Sequence, residues 1–185
     1  IFPLRSIRNQ SQQPYQVFGA FKKACYSKLD ISGLPQCYPI PEKQTANPES
    51  DSNIKSLGLE DIEAFFDSSV SKDQEDLWPA GEDYALEQLD LFIEDHLSHY
   101  KSERDFPHVE GTSQLSPYLN LGILSIRQCL QALFRAEHGN FHLANEGQQT
   151  WLDELLWREF YQHILFDFPK VSKHYPFKQN MQNIK

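Results

Sequence analysis

The chain's sharpest periodicity lies at residues 150–161, TWLDELLWREFY. Leu152, Leu155, Leu156 and Phe160 recur at i, i+3, i+4 and i+8, which predicts a helix with an ordinary core stripe. Around the same helix, Glu154, Trp157, Arg158 and Tyr161 recur at i, i+3, i+4 and i+7 and make a second stripe. That stripe combines a carboxylate, an indole, a guanidinium and a phenol. It is too polar to bury without partners and too aromatic to leave in water. Two readings stand side by side. One is the wall of a pocket for a flat, polar, aromatic ligand. The other is a Glu154–Arg158 ion pair at i,i+4 beside two core aromatics.

The same pattern reading extends along the chain. Residues 14–29 predict a helix, with Pro14 in its first turn and Val17, Phe18, Phe21 and Cys25 on its apolar face. From residue 31 to about 78 the chain reads as a linker rich in acids, Pro and Ser, with one short helix expected at Leu59 to Phe66. A strong amphipathic helix follows over 82–100, with Ala85, Leu89, Phe92, Ile93, Leu97 and Tyr100 on one face. Ser116-Pro117 reads as a helix start with Ser116 as N-cap, and Gly122 ends that helix. Ser125 to Gln128 is a capping box that opens a helix to about Glu137. The last helix is expected from about Glu146 to Phe166, stopping before Pro169. No strand pattern competes, so the expected class is all-α. The chain opens at Ile1 in mid-pattern and closes at Lys185 without a terminating element, so we expect a piece of a longer polypeptide.

Charge changes this picture in one respect. The net charge of −9 argues against nucleic acid until its distribution is considered. Residues 49–95 hold 15 of the 26 acidic residues and only Lys55 and Lys72 as bases, a local balance of −13. The remainder carries +4, so a DNA-binding face is compatible with the sequence. Three scattered cysteines, Cys25, Cys37 and Cys129, read as reduced thiols in a cytoplasmic protein and not as a disulfide framework. No apolar run approaches a membrane span.

Candidate chemistry concentrates in two further places. Thr112, Ser113, Gln114, Leu115 and Ser116 place three hydroxyls and an amide ahead of a helix N-terminus, a setting that suits a phosphate or pyrophosphate. Simple capping by Ser116 explains the same residues. Arg104 suits a nucleic-acid phosphate, yet lies between Glu103 and Asp105 and also reads as a surface ion pair. His96 and His99 lack a third ligand nearby, so no metal site is expected. Phosphate-binding loops of the P-loop and GxGxxG kinds are absent, as is a nucleophile elbow.

Two segments in this order resemble one family. Residues 110–119, EGTSQLSPYL, with Gly122-Ile123-Leu124-Ser125 after them, resemble the flavin-phosphate loop of the DNA photolyase/cryptochrome family. Residues 151–161, WLDELLWREFY, resemble its flavin- and lesion-binding helix. Arg104 to Pro107 and residues 15–21, YQVFGAF, also fit. The likeness is greatest to bacterial class I cyclobutane pyrimidine dimer photolyases. It implies that residues 1–30 connect from an antenna domain, 31–78 form a linker, and 79–185 begin a helical FAD-binding domain.

The resemblance further implies that Tyr100, Thr112, Ser113, Gln114, Leu115, Ser116 and Trp151 contact FAD, reduced in the active form. Arg104 would contact DNA. Glu154, Leu155, Leu156, Trp157, Arg158, Glu159, Phe160 and Tyr161 would line a cavity shared by flavin and lesion. Glu154 would hydrogen-bond a flipped pyrimidine dimer and Trp157 would stack on it, the two groups nearest the chemistry. The implied partner is UV-damaged DNA, the implied state a monomer at full length, and the implied antenna pigment a folate or deazaflavin. A cryptochrome-type photoreceptor without repair activity is the alternative on the same scaffold. An all-α interaction module that meets a basic partner through 49–95 is the alternative outside it.

Overall fold

The computed structural model describes residues 1–38, 77–136, 143 and 145–181. The expected helix at Leu59 to Phe66, and Glu137 as a helix end, lie outside these residues. Two units divide the chain: Ile1–Cys37 with Glu82–Lys185, and Tyr38–Gly81. Only Tyr38 and residues 77–81 of the second are described. The described residues of the first are helical and carry no strand, as expected.

Helix α1 spans Phe18–Ser32. It begins four residues after Pro14, a correction to the expected 14–29. Val17 is extended (φ −127°, ψ 124°) and serves as N-cap, so the segment from Pro14 is not a first turn. Helix α2, Glu82–Leu91, runs into a π turn at Phe92–His96, a 3₁₀ turn at Leu97–His99 and a short α3, Tyr100–Glu103. The single helix expected over 82–100 is therefore a continuous helical run with three changes of pitch. The apolar face explains this: Phe92 and Leu97 are five residues apart, and the Leu97 N–H bonds to the Phe92 carbonyl. Both stay buried because the π turn absorbs the extra residue.

Helix α4 is Ser116–Leu121 and α5 is Ile126–Ala136. The capping box forms: the Gln128 N–H donates to Ser125 Oγ at 3.2 Å, and the Ser125 N–H to Gln128 Oε1 at 2.8 Å. Gly122 ends α4 in the left-handed region, φ 75°. Helix α6, Glu146–Asp167, is the spine of the unit, with α1, α3, α5 and the Leu97–His99 turn packed on it. Asn145 caps it, accepting from the Gly147 and Gln148 N–H groups at 2.7 and 3.3 Å. Gly147 is required there, because a Cβ would collide with the Leu97 and Ser98 carbonyls. The 3₁₀ turn and the start of α6 thus touch backbone to backbone. Their core joins Phe21, Leu89, Phe92, Leu97, Leu115, Leu130, Leu133, Trp151, Leu152 and Leu156.

Candidate functional site

The two stripes of α6 separate as their chemistry requires. Leu152, Leu155, Leu156 and Phe160 are buried, and so is Glu159. Glu154, Trp157 and Arg158 are half-buried and Tyr161 is exposed. The Glu154–Arg158 pair does not form. Arg158 Nη2 donates to the Leu119 carbonyl at 2.9 Å, one of the carbonyls that the last turn of α4 leaves without a helical partner. Glu154 Oε1 accepts from Arg104 Nη1 at 2.5 Å, across fifty residues of sequence. Arg104 therefore faces α6, and its contact with Asp105 is the longer one at 3.5 Å.

Around that pair the site builds inward. The Arg104 guanidinium lies 5.5 Å above the Tyr100 ring, a cation–π contact. Its hydrogen bond to Glu154 holds it above its ordinary pKa, so it stays charged. Burial pushes the Tyr100 phenol up as well, although the Arg104 charge opposes this, so the ring stays a neutral donor. Tyr100 meets Phe92 edge to face at 5.7 Å, and Phe92 meets Trp151 at 5.2 Å. Tyr100 and Trp151 thus share one aromatic partner, with Arg104 and Glu154 beside them. Trp151 is itself only 3% exposed.

The hydroxyl loop begins beside the same cluster. Gly111 is buried against Glu103, so tightly that a Cβ would overlap the Glu103 side chain. Leu115, and not Ser116, is the N-cap of α4, and no side chain caps that end. This corrects the expected capping role of Ser116, which sits in the first turn with Pro117. Leu115 is held there because its side chain is buried in the core. Thr112 and Ser116 are exposed and Gln114 takes a positive φ of 51°. Thr112 and Ser116 are consequently open to solvent ahead of and within the first turn of α4, an arrangement compatible with an anion.

Trp157 is engaged from α1. Phe18 stacks on it with centroids 3.6 Å apart and planes within 13°, and Tyr161 lies at 5.6 Å and 23°. Next to it, Asp153 accepts from Lys22 Nζ at 2.8 Å and from the Tyr26 hydroxyl at 3.1 Å. Sequence reasoning assigned Phe18 to a core face and gave Lys22, Tyr26 and Asp153 no part. No pattern in the sequence marks these pairs, since they join positions about 130 residues apart.

Glu159 differs from Glu154 in every respect. Its oxygens accept from the Ile1 and Phe2 nitrogens at 2.8 and 2.9 Å, and His163 Nε2 lies at 3.4 Å. Burial pushes its carboxyl up, while hydrogen bonds from the His163 ring and from the Ile1 and Phe2 nitrogens hold it below the ordinary value. Cys25 and Cys129 are buried and their thiols pushed up to about 12 by burial, so they are neutral and unreactive; all three cysteines are free. Among the described residues no group of three or more side chains could hold a metal, and no helix is long and apolar enough to cross a membrane.

The helical fold agrees with what comparison finds. The chain is 36% identical over 173 residues to a deoxyribodipyrimidine photo-lyase of Buchnera aphidicola from Acyrthosiphon pisum, covering 94% of this chain and 34% of that protein. It is 36% identical over 177 residues to the Escherichia coli enzyme of the same name, covering 96% and 35%. The solved structure of a bacterial class III photolyase from Agrobacterium tumefaciens superimposes on it with a TM-score of 0.79 at 29% identity, over 100% of this chain and 36% of that one. The chain belongs to the DNA photolyase family. It spans about a third of the length of the photolyases it matches. No protein-family model matches the chain. The all-α architecture is thus that of a segment of a photolyase, as its residues 110–125 and 151–161 implied.

Proposed function

We propose that the polypeptide carrying this chain is a light-driven DNA repair enzyme, a deoxyribodipyrimidine photo-lyase that splits cyclobutane pyrimidine dimers. The observation that carries this is the meeting of Arg104, Glu154, Tyr100 and Trp151 where α3 packs on α6, with Trp157 one turn beyond Glu154. A dimer must leave the duplex to be repaired, and a poorly stacked pair is cheap to extrude. Its binding site needs an aromatic wall and a polar group on its base edges. Trp157 supplies the wall and Glu154 the polar group. Tyr161 and Arg158 complete the accessible rim, while Leu155, Leu156, Glu159 and Phe160 hold it from beneath.

Thr112, Ser113, Gln114 and Ser116 would hold the FAD pyrophosphate with the N–H groups of α4. Leu115 would keep the loop in place, and Tyr100 and Trp151 would flank the cofactor. Reduced FAD supplies the light-excited electron donor when bound. Arg104 would grip a DNA phosphate. A DNA phosphate would compete with Glu154 for its guanidinium, so DNA binding would exchange one anionic partner for another and free the Glu154 carboxylate. We further propose that the full-length protein is a cytoplasmic monomer, with a folate or deazaflavin antenna on a preceding domain.

The test is blue-light repair of an oligonucleotide with one thymine dimer, using the full-length protein and reduced FAD. Light-dependent return of intact thymines is the expected result. Bound flavin without repair would replace this reading with a cryptochrome-type photoreceptor.

A further inference from the structure

Phe18 opens α1 and lies face to face on the Trp157 indole at 3.6 Å and 13°. Parallel overlap this close is not what aromatic rings choose when left to pack freely; edge and offset contacts are preferred. The other rings nearby follow that preference. Phe18 meets Phe160 at 5.9 Å and 63°, and Phe21 meets Phe160 at 5.3 Å and 55°. The Phe18–Trp157 pair is therefore held from outside, and the holding groups are visible. Lys22 Nζ lies 5.9 Å over the Phe18 ring. Asp153, one turn before Trp157 on α6, fixes Lys22 at 2.8 Å and is itself fixed by the Tyr26 hydroxyl. A brace thus leaves α6 at Asp153, crosses to α1, and returns to α6 at Trp157. Phe18 and Trp157 both remain half-buried, so the stack sits at the surface of the site and not in the core.

We propose that Phe18 is a positioning residue for lesion recognition, which backs one face of Trp157 so that the indole offers its other face, in a fixed plane, to an extruded pyrimidine dimer. The inference rests on the repair reading above and adds α1 to its machinery. Without the backing ring the indole keeps its contacts with Phe160 and Tyr161 but loses its face-to-face support and gains rotamer freedom, and binding must then order it. Ordering one such side chain weakens binding by about two- to tenfold.

The test uses the full-length flavoprotein with Phe18→Leu, Phe18→Tyr and Trp157→Ala, on oligonucleotides with and without one thymine dimer. Phe18→Leu is expected to lower the damaged-to-undamaged affinity ratio about fivefold. Flavin content, affinity for undamaged DNA and repair rate at saturating DNA should stay as in the wild type. The near-ultraviolet circular dichroism of the stacked rings should fall with the ratio, and Phe18→Tyr should restore both. Phe18→Met, of similar volume, replaces Phe18→Leu should the latter not fold. If either folded variant keeps the wild-type ratio while Trp157→Ala loses it, Phe18 has no positioning role and the repair reading stands. If Trp157→Ala also keeps the ratio, the proposal falls with the role given to Trp157. Light-dependent repair by the wild type then decides separately whether the enzyme reading survives.

Discussion

Glu154 and Glu159 stand five residues apart on α6 and live under opposite conditions. Glu159 is 2% exposed and surrounded by nitrogen donors from the start of the chain, with His163 beside it. Glu154 has 38% of its side chain exposed and, among the described residues, one partner, the long and adaptable Arg104. Burial makes the first carboxylate structural: it is fully committed and reaches no solvent. The second is bound only by a contact that a phosphate can displace. On one helix, burial and partner count thus separate a group that holds the fold from a group that can serve a ligand.

The largest effect that tests this contrast is on stability. Glu159→Ala leaves the buried Ile1 and Phe2 nitrogens without an acceptor, and should cost about 2–5 kcal/mol. Glu154→Ala removes a partly exposed pair and should cost less than about 1 kcal/mol. Urea denaturation of the two variants measures both. Equal losses would remove the distinction between the two carboxylates.

The acid limb of stability sharpens it. The folded-state pKa of Glu159 is lowered, so its contribution is present above the ordinary carboxylate range and lost as pH falls through the lowered value. Wild-type stability should therefore decline as the pH drops below about 4.5, its ordinary value. Glu159→Gln should be less stable at neutral pH and flatter over that limb. A limb of unchanged steepness in the variant would mean that other carboxylates govern it.

Much of this was legible in the sequence, and the boundary is instructive. Glu154, Trp157, Arg158 and Tyr161 emerged as one stripe because helical period is local, and the same is true of the Ser125–Gln128 box. The π turn between Phe92 and Leu97 and the Asn145 cap were not read from the sequence, although both are local. Partner choice was not legible. Arg158 was available to Glu154 at i+4, yet the fold gave it the Leu119 carbonyl and brought Arg104 instead. Ser116 offered a cap, but burial of Leu115 shifted the helix start by one residue. Phe18 carries no mark of its stack on Trp157, because that contact depends on how α1 docks on α6.

Function gives the reverse ranking of the two carboxylates. In the full-length flavoprotein, Glu154→Ala should weaken binding of dimer-containing DNA by roughly ten- to a hundredfold, the value of a hydrogen bond to a charged group. Undamaged DNA should bind as before. Glu159→Gln, where it folds, should leave the damaged-to-undamaged ratio unchanged. Titrations of both DNAs with both variants make the comparison. A ratio that falls for Glu159→Gln as much as for Glu154→Ala would mean that the helix as a whole, and not its accessible stripe, reads the lesion.

The smallest effect comes from the cation that links the site to DNA. Arg104→Ala removes one phosphate contact, so affinity should fall similarly on damaged and undamaged DNA and the slope of log K against log salt should shrink by about 1. It also releases Glu154 from the one hydrogen-bond donor it has among the described residues. If the pair merely stores the carboxylate until DNA arrives, the damaged-to-undamaged ratio should hold or rise in the variant. If Arg104 instead aims the carboxylate at the lesion, the ratio should fall, and the exchange of partners proposed for DNA binding would be wrong. Binding of both DNAs at several salt concentrations separates the two, because the slope reports the phosphate contact and the ratio reports Glu154.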